Sequence, residues 1–237
     1  MRRTIVLVLT GAAVVAGLVQ GGALAAPRHA TAASGPAVTI RIEGARKTLV
    51  PPNLVEPGSG WITRSGAPKG KCPRRSVQGA LNRATHGQWK GTWSRQFNEY
   101  FITSILGEKP PRHNFWEIFV NYKAASKGAC DLKLRRGEQI LFADTNGKRH
   151  PSALNVVGKS TRSASGTTFR LLLTGFNAHG TGKPLAGVRI NGGGIHSAPT
   201  NSHGQVEVTD NRPGPLLLRA SPTGYIRSET EVFLPSG

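Results

Sequence analysis

The stretch Asn114–Cys130 reads "NFWEIFVNYKAASKGAC" and determines the fold expected of the first half of the chain. Alternate residues of an extended strand point to opposite faces of a sheet. One face would carry the large core side chains Trp116, Ile118, Val120 and Tyr122. The other face would carry Phe115, Glu117, Phe119 and Asn121. The pattern predicts a central strand, a hairpin turn at Asn121–Tyr122 and an approach to a disulfide at Cys130.

The sequence on both sides of this strand predicts a small sheet packed on one helix. Alternating apolar residues predict three further strands, in "AVTIRIEG" (37–44), "EYFITSILG" (99–107) and "EQILFA" (138–143). "KTLVPP" (47–52) predicts the hairpin partner of the first strand, which would stop at its two prolines. The first strand is expected to be half-buried, with Arg41 and Glu43 on the face away from the core.

The stretch "RRSVQGALNRATHG" (74–87) predicts the helix. Ser76 can serve as the N-cap, and Gly87 can end the helix. The apolar stripe consists of Val77, Leu81 and Ala84. Because an isolated helix of this length is marginal in water, it must pack on the sheet, which indicates an α+β layer.

After about residue 145 the pattern changes to short strands separated by Gly, Asn and Pro, with no helical period. The predicted strands are "GTTFRLLLTG" (166–175), "PLAGVRI" (184–190), "GQVEVT" (204–209), "GPLLLRA" (214–220) and "RSETEVFL" (227–234). Regularly spaced short strands of this kind are typical of an all-β sandwich.

The N-terminus predicts export. Arg2 and Arg3 precede a short apolar run and the small residues Ala23-Leu24-Ala25, which is the order of a secretory signal peptide over residues 1–25. Residues 26–35 are expected to be a flexible lead-in. The mature protein should be secreted, should lack a transmembrane segment, and should be released or held at the cell surface by non-covalent contacts.

Cys72 and Cys130 are the only cysteines of the chain. In an oxidising compartment they are expected to pair, and the chain-entropy model gives roughly 4 kcal/mol for a loop of this size. Two cysteines without a second ligand pair make a poor zinc site, so we expect no metal and no cofactor.

The formal net charge of +19 is unevenly distributed. Between Arg28 and Arg149 there are 21 Lys and Arg against 8 Asp and Glu, whereas from His150 onward there are 8 against 4. The excess favours an acidic partner, such as a surface polyanion, an anionic lipid head group or nucleic acid. A merely solubilising surface explains it equally well. Sequence-specific nucleic-acid binding is not expected, because no nucleic-acid-binding motif is present.

Catalytic candidates are few. Glu117 would act as a general acid only if its surroundings raised its pKa and a partner such as His113 stood near it. An edge-facing or ion-paired glutamate is the simpler interpretation. The chain shows no zinc-protease helix and no nucleophile elbow, so an enzyme is disfavoured and an exported hydrolase is the least favoured alternative.

The stretch "HGQWKGTWSRQF" (86–97) interleaves aromatic and basic residues in what reads as a loop after the helix. Aromatic rings beside cations suit stacking on a sugar or base. The candidate ligand-binding residues are Trp61, Trp89, Lys90, Trp93 and Arg95. In the alternative interpretation, Trp89 covers the end of the helix and Trp93 caps the sheet.

Several residues of the first half resemble the transcobalamin C-terminal domain and its bacterial relatives of unknown function. The resemblance is carried by "VNYKAASKGA" (120–129), by Leu134 and "GEQILF" (137–142), and by the fold-signature residues Trp116, Val120, Asn121, Gly128 and Gly137. It implies a β-grasp-like fold whose loops bind soluble ligands. Tyr122 stands where these domains commonly have Gly, and a Tyr tolerates positive φ poorly, so we expect a hairpin longer than two residues.

"GKPLAGVRI" (182–190) followed by "TNSHGQVEV" (200–208) resembles bacterial Ig-like and carboxypeptidase-regulatory-like sandwiches. The expected fold is therefore mainly β with two domains. A β-grasp-like α+β domain would span 36–144, a linker 145–153, and an Ig-like or transthyretin-like all-β sandwich 154–237.

The function expected from these features is non-enzymatic binding or adhesion at the cell envelope or outside the cell. The partner would be a polyanion, a glycan or a small soluble ligand. The alternative is a carrier of a small, corrinoid-like ligand. In the cobalamin carriers, however, a helical barrel forms the other half of the site, and this chain has no such segment.

Overall fold

The computed structural model describes residues 35–163 and 166–234, which fold mainly into β-strands. The first half of the described chain contains one α-helix, a short 3-10 helix at Arg64–Gly66 and seven strands. The α-helix and strands are β1 (Val38–Glu43), β2 (Thr48–Val55), α1 (Val77–Ala84), β3 (Trp89–Ser94), β4 (Glu99–Ile105), β5 (Phe115–Val120), β6 (Lys123–Ala124) and β7 (Gln139–Thr145). The predicted signal peptide and nearly all of the lead-in lie outside the described residues. Within the described ranges, no helix is long and apolar enough to cross a membrane.

A five-stranded sheet in the order β2-β1-β7-β5-β6 forms the centre of the first half. β1 and β7 pair in parallel, with Ile40 opposite Ile140, and the other neighbours are antiparallel. α1 packs its buried residues against one face, together with Ile40, Ile42 and Phe142. The strands predicted around residues 38–43, 99–105, 115–120 and 139–145 are confirmed.

The predicted helix is also confirmed. The Ser76 hydroxyl accepts a hydrogen bond from the Gly79 backbone N–H at 3.4 Å, as an N-cap does. Gly79 itself lies so close to the preceding chain that an added Cβ would stand 1.7 Å from the Arg74 carbonyl oxygen. A glycine at this position therefore lets the start of α1 pack tightly against the segment that leads into it.

β2 does not stop at its prolines, as the sequence suggested, but continues through Pro51 and Pro52 to Val55. The ladder shifts register between Ile40 and Ile42, opposite the prolines. Proline is tolerated here because β2 is the edge strand of the sheet, where one row of backbone groups needs no partner.

The hairpin between β5 and β6 has two residues, so the expectation of a longer loop is wrong. Val120 pairs with Lys123, and Asn121 and Tyr122 have φ of 49° and 67°, which are the positive values of a type I′ turn. Tyr122 is also not a core residue of this half. Its ring stacks on Phe176 of the second half, with the centroids 4.1 Å apart.

The second face of the central sheet is buried as well. Phe119 is fully buried there and packs with Leu141, Ala143 and Ile226. Arg41 and Glu43, which were expected to lie on the open side of a half-buried strand, are only 8% and 1% exposed. The expectation for this face was wrong because the second half of the chain covers it, and no local pattern in the first half indicates that cover.

The "HGQWKGTWSRQF" stretch forms a strand rather than the predicted loop. β3 pairs with β4 in a two-stranded hairpin, with Trp89 opposite Ile105 and Trp93 opposite Tyr100. A register shift between Lys90 and Gly91 interrupts the alternation of side chains. Gly91 lies so close to β4 that an added Cβ would be 2.8 Å from the Phe101 carbonyl oxygen, which accounts for the glycine in this strand.

The second half contains two four-stranded sheets. Its strands are β8 (Ser152–Ser163), β9 (Gly166–Phe176), β10 (Gly182–Pro184), β11 (Arg189–Gly192), β12 (Ile195–Pro199), β13 (Gln205–Asp210), β14 (Gly214–Ala220) and β15 (Ser228–Leu234). β9 pairs with β8, β10 and β13, and the other sheet has the order β12-β11-β14-β15. Their core contains Phe169, Leu171, Leu173, Ile190 and Leu218. β8 was not predicted, because its residues from Asn155 to Ser163 are mostly polar and exposed.

Candidate functional site

The disulfide Cys72–Cys130 is present, with the Cα atoms 4.7 Å apart and a sequence separation of 58. It joins segment 61–75 to segment 127–138. Backbone hydrogen bonds hold segment 127–138 against the start of α1 and the residue before its N-cap: Val77 N–H donates to the Leu132 carbonyl, and Leu134 N–H donates to the Arg75 carbonyl. The disulfide and these bonds hold two distant parts of the chain side by side.

This surface is strongly cationic. The two segments contain nine Lys and Arg, and their only acidic residues are Asp131 and Glu138. We call the exposed cations that flank the disulfide the disulfide-linked basic surface: Lys69, Lys71, Arg74, Arg75, Lys127, Lys133, Arg135 and Arg136. Within the described ranges, Lys69, Lys71 and Lys133 form no salt bridge, so their charges are open to an external anion.

Glu99 of β4 holds the second of these segments, 127–138, in place through its backbone. Its two carboxylate oxygens accept the backbone N–H groups of Cys130 at 2.9 Å and Asp131 at 2.8 Å. Burial raises the pKa of Glu99, and the hydrogen bonds from the two N–H groups act in the opposite direction. An added Cβ on Gly128 would lie 2.2 Å from the Glu99 side chain, so this fold-signature glycine makes room for the carboxylate.

An aromatic cluster holds the first segment. The Arg64 guanidinium lies 4.5 Å from the centre of the Trp89 ring and donates to the Gly87 carbonyl at 2.6 Å. Tyr100 packs edge-on against both Trp89 and Trp93, and its hydroxyl donates to the Arg64 carbonyl at 2.5 Å. Burial raises the pKa of Tyr100 to about 12. The cluster therefore fixes the start of the 61–75 segment over β3 and β4.

The predicted binding residues are divided between the core and the surface. Trp89 and Trp93 are 1% and 9% exposed, and the Trp89 indole N–H donates to Asn82 of α1 at 3.0 Å, as the packing alternative expects. Neither of these two indole rings is exposed enough to stack on a ligand in this structure. Trp61, at 42% exposure, pairs with Pro73 beside the disulfide, while Lys90 and Arg95 are exposed on the β3–β4 hairpin.

The remaining fold-signature residues have structural roles. Trp116 is buried in the main core, and Val120 packs against that core. The Asn121 side-chain oxygen accepts the Gln139 N–H at 2.9 Å, which ties the hairpin to β7. Gly137 has a φ of 82° and donates its N–H to the Ala37 carbonyl at 2.8 Å, so it forms the tight turn into β7.

Glu117 is half-buried on the face opposite the main core, across from Ala143. Burial raises the pKa of its carboxyl, and its Oε2 makes no hydrogen bond with another described residue. His113 is exposed, in a loop with a φ of 71°. In the described part of the chain, no three His, Cys, Asp or Glu side chains come together as metal ligands would.

A buried ionic cluster, which the sequence pattern does not reveal, joins the two halves. Glu43 receives a hydrogen bond from Arg227 at 3.1 Å and lies 3.6 Å from Arg41. Arg219 donates to Glu229 at 2.5 Å, and the Thr48 hydroxyl contacts both carboxylates, at 3.0 Å from Glu43 and 2.6 Å from Glu229. The only indication of this cluster in the sequence is the charged pair Arg41 and Glu43 within a strand. The burial of that pair depends on residues about 180 positions away, which a local pattern does not identify.

No curated protein matches the chain. Residues 77–146, from α1 to just past β7, match a family described as a domain of unknown function (DUF4430). This region contains all of segment 127–138 and one of the two cysteines, Cys130. The matched region includes Glu99, Gly128 and the 127–138 part of the disulfide-linked basic surface.

Proposed function

We propose that the protein is secreted and binds an acidic polymer of the cell envelope or exterior, without catalysis, through the disulfide-linked basic surface. The first half would be a β-grasp-like recognition domain. The second half would be an Ig-like or transthyretin-like sandwich that serves as a spacer or docking module. The parallel pairing of β1 with β7, in a sheet that packs against one helix, supports the β-grasp-like assignment. The two four-stranded sheets of the second half support the sandwich assignment.

The observation that carries the proposal is the accumulation of cations around one covalent link. Nine Lys and Arg against two acidic residues lie on segments that the disulfide and backbone hydrogen bonds hold together. Because the Lys69, Lys71 and Lys133 charges have no salt-bridge partner in the described chain, they are available to attract an external anion. A merely solubilising charge would not need to be concentrated or held rigid in this way.

The proposal is tested by binding of the mature protein to fluorescent inorganic polyphosphate and to poly-L-glutamate, which present phosphate and carboxylate charges. One variant neutralises four cations of the surface: Lys69→Gln, Lys71→Gln, Lys133→Gln and Arg136→Gln. A matched control neutralises four exposed cations elsewhere: Arg46→Gln, Lys47→Gln, Lys159→Gln and Lys183→Gln. Both variants change the net charge by the same amount.

We expect the surface variant to lose at least about tenfold in affinity for one of the two polymers, and the control to lose far less. Equal losses in the two variants would show that only total charge matters and would refute a defined binding surface. Failure of the unmodified protein to bind either polymer at low salt would refute acidic-polymer binding altogether.

A further inference from the structure

An open groove of about 460 Å³ runs between α1 and the loop that follows β2. The polar side chains of its lining are those of Glu56, Arg74, Asn82, Arg83 and His86, and three of its other lining residues are glycines. A second cavity of about 430 Å³ shares Glu56, Arg83 and His86 with the first and extends to Asn53 and Leu54. We call the two adjacent cavities the α1 groove. Their volumes lie within the range of small-ligand sites.

Cations dominate the lining of the α1 groove. Arg83 and His86 are exposed and line both cavities, and Arg74 reaches the larger one from the disulfide-linked basic surface. None of these three side chains forms a salt bridge with another residue of the described chain. Glu56 is the only acidic residue that the described chain places in the lining. The excess of positive groups favours an anion over a cation as the occupant.

Neutral donors and a further guanidinium support an anion at the larger cavity. Asn82 Oδ1 accepts the Trp89 indole N–H at 3.0 Å, so the Asn82 amide nitrogen is the group left to donate. The Arg64 guanidinium lies beside Gly87, to whose carbonyl it donates at 2.6 Å. The C-terminal end of a helix carries partial negative charge, but here the Asn82 carbonyl already accepts the Gly87 N–H at 2.8 Å. Its repulsion of a nearby anion is therefore reduced.

Glu56 restricts which anions the groove can accept. Its side chain is exposed, and it forms no salt bridge with Arg83 or His86, although all three line the same two cavities. The carboxylate repels a ligand whose negative charges are contiguous, and it can accept a hydrogen bond from an uncharged hydroxyl. The ligand that matches this lining carries one anionic group for Arg83 and His86 and, beside it, a hydroxyl group for Glu56.

We propose that the α1 groove binds one acidic sugar unit, with its carboxylate or phosphate against Arg83 and His86 and one of its hydroxyls donating to Glu56. The larger cavity has room for a single sugar ring, and the adjacent cavity has room for the group to which that sugar is attached. Only Arg74 belongs both to this site and to the disulfide-linked basic surface. The inference therefore does not depend on polymer binding by that surface.

The test titrates the ¹⁵N-labelled protein with small ligands at about 0.1 M salt, which screens long-range attraction, and follows the amide chemical shifts. Methyl glucuronide and glucose 6-phosphate carry an anionic group together with hydroxyls. Inorganic phosphate carries only the anion, and methyl glucoside carries only hydroxyls. We expect at least one acidic sugar to saturate in the millimolar range and to shift the amides of Gly58, Arg83 and His86. It should bind at least about fivefold more tightly than phosphate or the glucoside.

Two variants separate the anionic contact from general charge. Arg83→Gln should weaken binding of the acidic sugar at least about tenfold, because a charge-assisted contact is lost. Lys90→Gln is the matched control, because it removes an exposed cation of β3 that does not line the groove. It should leave binding within about twofold. The unperturbed spectrum of each variant checks its fold.

Glu56→Ala tests the hydroxyl contact, because it removes both the repulsive charge and the hydrogen-bond acceptor. It should tighten binding of phosphate and reduce the preference for the acidic sugar over phosphate at least about threefold. The proposal is overturned if neither acidic sugar saturates or if the shifts map elsewhere. It is also overturned if Arg83→Gln and Lys90→Gln bind alike, or if Glu56→Ala leaves the preference unchanged.

Discussion

Gly128 shows how one residue determines the shape of the candidate site. The glycine leaves the space that the Glu99 carboxylate fills, and Glu99 in turn holds the backbone of Cys130 and Asp131. A methyl group at position 128 would displace that carboxylate from two backbone N–H groups. The glycine is thus a requirement of packing and not of backbone conformation, since its φ is not in the left-handed region.

Gly128→Ala should therefore lower the free energy of unfolding by about 1–3 kcal/mol, as overpacking of a filled site does. Gly58 is the matched control, because an added Cβ there would meet no atom within 4 Å. Gly58→Ala should be neutral or slightly stabilising. Urea denaturation of both variants measures the difference, and equal effects would contradict the role assigned to Glu99.

Glu117 allows a second prediction at this scale, from pH. Because burial raises its folded pKa above the unfolded value of 4.5, its favourable contribution is fully present below pH 4.5. That contribution is lost as the pH rises through the higher folded pKa. Glu117→Gln removes the ionisation. The variant should therefore gain stability relative to the unmodified protein as the pH rises above 4.5, and should gain none below that pH. A stability difference that does not change with pH would show that the carboxyl is effectively solvated.

At the scale of elements, the disulfide and the hairpin β3–β4 act as supports for loops that would otherwise be independent. Replacing both cysteines by serine (Cys72→Ser with Cys130→Ser) should reduce the free energy of unfolding by about 2–4 kcal/mol. Because the charges are unchanged, a parallel drop in polymer affinity in the folded variant would show that the arrangement of the cations matters. A reduction of less than about 1 kcal/mol would mean that the backbone hydrogen bonds suffice without the disulfide.

The same scale shows what the sequence could and could not predict. Strands with strict alternation, such as β1 and β5, and the capped helix α1 were predictable, because their signals are local. β3 was not, since the bulge at Gly91 breaks its alternation, and β2 was cut short because its position at the edge of the sheet is a property of the whole fold. Trp89 and Trp93 could not be separated from Trp61 by composition, because burial depends on the hairpin they form.

At the scale of the whole molecule, the two halves share a buried junction rather than a flexible link. Ile226 packs among side chains of β5 and β7, Tyr122 stacks on Phe176, and Arg227 bonds to Glu43 and to the Gly44 carbonyl at 2.6 Å. The connection between β7 and β8 is only residues 146–151. This junction accounts for the burial of Arg41 and Glu43, which no local pattern reveals.

A buried junction of this kind predicts that the two halves unfold together. Calorimetry of the mature protein should show one cooperative transition. Ile226→Asp places an unpaired carboxylate in the apolar part of the junction and should separate the transition into two, while Ile226→Val should only lower its midpoint. Two transitions in the unmodified protein would contradict the coupling of the halves.

The central claim, that the disulfide-linked basic surface binds an acidic polymer, is tested most directly by the salt dependence of polyphosphate binding. Cations that pair with phosphates release condensed counterions, so the logarithm of affinity falls linearly with the logarithm of salt concentration. Neutralising Lys69, Lys71, Lys133 and Arg136 should make that slope shallower by about 3, because each cation paired with a phosphate of a single strand accounts for roughly 0.7 of it. The matched control variant should keep the slope of the unmodified protein. Identical slopes for all three proteins would contradict the account.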